Sequence, residues 1–171
     1  MINWLLIPMH KLSRTLLCSI VTCCFPGFYA QADDSAVLLK ATLITVTGDD
    51  NKDHDTAISV TVTSEDGQTT LAHCTKAESS SDDSMEYKDG SEHPVTLSVD
   101  AVGVAKSACK DFKGRLHIKT HGGRGHDKWK FNGRVILEFS DKTNITANIG
   151  DTTLEAKGTN ESPGVDFSSK K

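Results

Sequence analysis

The chain has 171 residues, 25% of them charged, and a formal net charge of −4. An acidic balance excludes a protein that grips nucleic acid through a broad basic footprint. The length suits one domain with a core of its own.

Residues 1–32 carry Lys11 and Arg14 but no Asp or Glu. An apolar run, Leu16 to Phe25, follows the two cations. Ala30-Gln31-Ala32 then offers small residues before Asp33-Asp34. This is the layout of a secretory signal peptide, and the apolar core is too short to span a membrane. Met9 is an alternative start, since it opens directly on the basic region. A buried N-terminal helix is the competing reading. Lipidation at Cys23 is another, against which Thr22 argues. Export places the mature chain in the periplasm or outside the cell. Removing two positive charges and no negative ones takes the net charge from −4 to −6. Only Cys74 and Cys109 then remain of the five cysteines. In an oxidising compartment two cysteines predict one disulfide, worth roughly 2–4 kcal/mol by loop entropy.

From residue 33 onward, period two dominates. Ala36 to Val46 is rich in branched apolar residues. Ile58, Val60 and Val62 alternate with polar neighbours, as do Val95, Leu97 and Val99, and Leu116 and Ile118. Val135, Leu137 and Phe139, then Ile145, Ala147 and Ile149, repeat the pattern as a hairpin. Thr152 to Ala156 adds a short strand. Alternation of this kind marks half-buried antiparallel strands. Glu65-Asp66-Gly67, Lys88-Asp89-Gly90, Gly122-Gly123 and Ser140-Asp141-Lys142 punctuate them. The expected fold is all-β: one antiparallel β-sandwich of seven or eight strands over 33–156, with a closed barrel as the competing closure. Ala77 to Asp83 and Thr120 to Asp127 read as irregular, and 157–171 as a mobile polar tail.

Two stretches carry candidate chemistry. Gly48-Asp49-Asp50-Asn51-Lys52-Asp53-His54-Asp55-Thr56 places four carboxylates on a loop between strands. Asp49, Asp50, Asp53 and Asp55 are the oxygen donors calcium takes, although the spacing is not that of a helix–loop–helix site. The alternative is a solvated acidic turn. Zinc finds no tight nitrogen or sulfur set. The second stretch, residues 117–135, combines Gly122, Gly123 and Gly125 with Arg124, Lys128, Lys130 and Arg134 around Trp129. Two readings of Trp129 stand. In one it is core, with Phe131 on the same face. In the other it sits at a rim beside Arg124, Lys128 and Lys130, meeting a lipid, a sugar or an anionic group. No nucleophile elbow or metalloprotease motif is present, so a binding protein is expected rather than an enzyme. A small hydrolase would need a polar pocket assembled from distant loops.

Three segments together resemble the PLAT/LH2 family, the lipoxygenase-type sandwich related in shape to C2 domains. VLLKATLITVTGDDNKDHDTAISVTV resembles a first strand, acidic loop and second strand. YKDGSEHPVTLSV is similar to a middle strand entered from a glycine turn. CKDFKGRLHIKTHGGRGHDKWKFNGRVILEF resembles a strand, a polar loop and an aromatic-bearing segment leading into a long strand. The likeness covers roughly residues 36–149. It implies a module that docks on a membrane surface, a glycan or lipid, or a secreted protein partner. It also implies calcium in end loops, held by Asp49, Asp50, Asp53 and Asp55 with Asp127 from the later loop. Lys130-Phe131-Asn132-Gly133 departs from the family pattern after the tryptophan. The competing readings are a structural or protein-interaction domain without a metal, and the small secreted hydrolase.

Overall fold

The protein is described here by a computed structural model covering residues 34–77, 86–120, 125–158 and 160–170. Residues 1–32, expected to be a signal peptide, and Arg124 lie outside the described residues. Among the described residues eight strands follow one another: β1 Leu38–Thr47, β2 Thr56–Thr63, β3 Thr70–Ala77, β4 Glu92–Val99, β5 Lys113–Thr120, β6 His126–Phe139, β7 Asn144–Lys157 and β8 Val165–Ser168. A short 3-10 turn, Lys106–Cys109, precedes β5.

All strand pairings are antiparallel, in the order β7-β6-β1-β4-β3-β2-β5-β8. β4 joins two layers. Its first six residues pair with β1, and Ser98 and Val99 pair with β3. At the other end of the order β7 returns alongside β5 and β8, so the sandwich is nearly closed. Near-closure leaves little unpaired edge to recruit a foreign strand.

The period-two residues point inward as the pleat requires. Ile58, Val60 and Val62 of β2, Leu116 and Ile118 of β5, and Val135, Leu137 and Phe139 of β6 are all buried in one core. That core also takes Trp129, Phe131, Tyr87 and Phe112. The segment that reads as irregular up to Asp127 is already strand from His126, and β6 runs on for 14 residues. β7 likewise absorbs the separate strand expected at Thr152–Ala156. A register shift opposite Phe131 and Gly133 lets the long hairpin continue through Gly150.

Two expectations are corrected. Cys74 and Cys109 form no disulfide. Cys74 lies on β3, opposite Val60 of β2. Cys109 closes the 3-10 turn with its thiol packed in the apolar core, where burial pushes its pKa up to about 11. A thiol held protonated in a dry site is a poor partner for oxidation. Melting curves with and without dithiothreitol should therefore superimpose; a lower melting temperature in reductant would show a bridge. The expected mobile tail also contains structure. Val165–Ser168 forms β8 against β5, and Phe167 is buried.

The strand ends determine what meets at one end of the sandwich. Thr47 at the end of β1 exchanges backbone bonds with the turn before β4: its N–H donates to Ser91 O, and Gly90 N–H donates to Thr47 O. Gly48 N–H donates to Lys130 O at 2.7 Å, and Lys130 N–H donates to Asp50 O at 3.1 Å. The β1–β2 loop, the 88–91 turn and the start of β6 are thereby drawn together.

Candidate functional site

At that end lies an open cavity of about 520 Å³, lined by Asp49, Asp50, Asn51, Asp53, Asp89, His126, Asp127 and Lys128. Three separate segments supply five carboxylates to it, against one lysine. Asp55 is not part of the lining. Asp89 was legible only as part of a turn, and its convergence with the acidic loop depends on the Thr47 bonds to Gly90 and Ser91.

The carboxylates are not equivalent. Asp49 is exposed and bonds Lys130 Nζ at 2.8 Å; this contact holds its carboxyl below the ordinary aspartate range. Asp50 bonds Lys128 Nζ at 2.7 Å. In return the two aspartates hold both ammonium groups above the ordinary lysine value. Lys128 and Lys130 project outward because they alternate with buried Trp129 and Phe131 on β6. The groups they meet are the chain's own acidic loop.

Asp127 differs. Only 3% of it is exposed, and its Oδ2 accepts the Asp53 N–H at 3.2 Å. Burial pushes its carboxyl above the usual range, and the neighbouring Asp53 carboxylate adds to the shift; the Thr56 side chain, the Asp53 N–H and the Lys52 ammonium oppose it. Asn51 Nδ2 donates to Glu86 Oε1 at 3.0 Å. Asn51 Oδ1 is buried and accepts no hydrogen bond.

Beneath the loop is a layered aromatic floor. The Tyr87 ring stacks on His93 with centroids 3.5 Å apart and meets Trp129 edge-on at 5.8 Å. Trp129 stacks on Phe131 at 4.0 Å and donates Nε1–H to Thr47 Oγ1 at 3.2 Å. Trp129 is fully buried. The core reading of this residue holds, and the rim position for Trp129 is corrected: its side chain supports the acidic end from below and touches no solvent.

Carboxylate oxygens such as those lining the cavity are ligands of the kind calcium takes. Their present arrangement is not closed around one point. Among the described residues no three His, Cys, Asp or Glu side chains are grouped to hold a metal ion.

No family model matches the chain, and no curated protein matches it. Among solved structures it is similar to the alpha toxin from Clostridium absonum, at 18% identity over 78% of this chain and 33% of that one, with a TM-score of 0.45. It is also similar to the alpha-toxin of Clostridium perfringens avian strain SWCP, at 15% identity over 82% of this chain and 33% of that one, with a TM-score of 0.46. The chain thus spans about a third of the length of the solved structures it resembles, and a likeness this loose carries no statement about ligand or activity.

Proposed function

We propose that the chain is an exported, non-enzymatic binding module whose recognition end is the acidic cavity, and that the ligand it takes there is a cation, calcium first. The observation that carries this reading is the convergence of five carboxylates from three segments on one open cavity. A carboxylate whose burial outweighs its hydrogen bonds, and which faces another carboxylate, weakens the fold when ionised. Asp127 binds its proton more tightly in the folded chain than in the unfolded one, so its contribution to stability falls as pH rises through its elevated pKa. A cation in the cavity would reverse that. Asp49 and Asp50 would exchange their lysines for the ion, an easy exchange because exposed ion pairs contribute little. The module would then present the bound ion to an anionic membrane surface, glycan or protein.

One observation favours a second reading. Lys128 and Lys130 already neutralise Asp50 and Asp49, which suits a protein-interaction surface that needs no metal. Calcium titration with thermal melting separates the two. Under the calcium reading the melting temperature rises saturably, as any ligand specific to the folded form requires. Asp127→Asn should raise the melting temperature of the calcium-free protein at neutral pH and abolish the calcium-induced rise. No shift at millimolar calcium rejects the metal and leaves the interaction surface.

A further inference from the structure

We infer that Lys52 is the resident cation of the recognition loop: its ammonium fills the point where loop carbonyls and an aromatic face converge, and it orders residues 49–56 without a metal ion.

Lys52 stands in the middle of the most charged run of the chain, yet its exposure is 0%. A lysine in such a run ordinarily extends into solvent. Here Nζ donates to Thr56 O at 2.8 Å and to Asp53 O at 3.0 Å. It also sits 4.6 Å from the Tyr87 ring centroid, over the face. Taking an ammonium out of water is tolerated only when polar groups replace its hydration. Two carbonyl oxygens and the negative face of an aromatic ring do so. Backbone carbonyls converging in a loop are also what a bound calcium ion collects. The lysine therefore does from within the chain what a metal would do from outside.

The surroundings are built to hold this arrangement. Lys52 and Tyr87 form an antiparallel bridge, with Tyr87 N–H donating to Lys52 O at 3.0 Å and Lys52 N–H to Tyr87 O at 3.3 Å. His93 and Trp129 fix the Tyr87 ring from its other sides. Asp53 O accepts both the Lys52 ammonium and the Thr56 N–H at 3.1 Å, which closes the turn into β2. The same Asp53 N–H is held by Asp127. Lys52 thus positions the backbone that carries Asp53 to the cavity, while its charge offsets the carboxylates of that end. This role stands whether or not calcium enters the cavity outside it.

The test begins with amide exchange on the wild-type protein in EDTA and in calcium. Residues 49–56 and 86–88 should be equally protected in both. Protection that appears only with calcium overturns the inference, independently of whether calcium shifts the melting temperature. Lys52→Met keeps the stem and removes the charge; protection of 49–56 should fall by about tenfold or more through local opening. Lys52→Ala then probes the charge itself. Added n-propylammonium, the severed part of the side chain, should raise the melting temperature of Lys52→Ala saturably and leave the wild type unmoved. Equal rescue by n-propanol would reduce Lys52 to a packing group and overturn the inference. If neither variant folds, the wild-type exchange comparison decides.

Discussion

Trp129→Ala removes about 3–5 kcal/mol of stability, the range for deleting a large buried aromatic side chain. Domains of this kind have about 5–15 kcal/mol in total, so the variant is marginal at room temperature or unfolded. The size of the effect follows from position. Trp129 has no exposed surface, stacks on Phe131 and meets Tyr87 edge-on. Its loss opens a cavity between the sandwich core and the floor of the acidic end. Tyr87 then loses a support, and with it the platform under Lys52. Trp129→Phe should keep most of the packing and lose the bond to Thr47 Oγ1, for about 0.5–1.5 kcal/mol. Urea unfolding of the two variants checks the pair. Near-wild-type stability of Trp129→Ala would instead place the side chain at the surface.

The strands were legible because their apolar residues alternate, and alternation is a local property. Ile58, Val60 and Val62 needed no knowledge of the rest of the chain to be read as one buried face. The acidic loop was legible as candidate chemistry for the same reason: Asp49, Asp50 and Asp53 are neighbours in sequence. What escaped depends on partners far along the chain. Lys52 looks like one more solvated charge until Tyr87, 35 residues on, covers it. Lys128 and Lys130 read as free to meet an anionic ligand, but β6 docks against the β1–β2 loop and pairs them with Asp50 and Asp49. The disulfide was inferred from compartment and cysteine count, neither of which contains a distance. β8 offered only Val165 and Phe167 as apolar residues in a polar segment. Its place is made by a vacancy on another strand.

That vacancy is Gly114, and filling it should destabilise the domain while loosening β8. Gly114 of β5 stands opposite Phe167 of β8 and Val62 of β2. A Cβ there would lie 2.4 Å from Phe167 Cζ and 2.5 Å from Thr61 O. Both distances are shorter than any tolerable contact, and the two neighbours yield differently. The Phe167 ring can swing out, which exposes a buried aromatic and frees a four-residue strand. The Thr61 carbonyl belongs to the β2 backbone and can move only by parting β2 from β5. Gly114→Ala should therefore cost about 1–3 kcal/mol, the usual scale of overpacking, and Gly114→Val more. Amide exchange should show lost protection at 165–168 before the rest of the domain opens. The double variant Gly114→Ala with Phe167→Ala separates the two obstacles. If the ring were the only one, its removal would relieve the strain fully, and the double variant would be no less stable than Phe167→Ala alone. The Thr61 carbonyl remains in place, so the double variant should stay below Phe167→Ala in a thermal melt. Coincident melts would show that β2 and β5 part freely, and that the glycine is there only to seat the last strand.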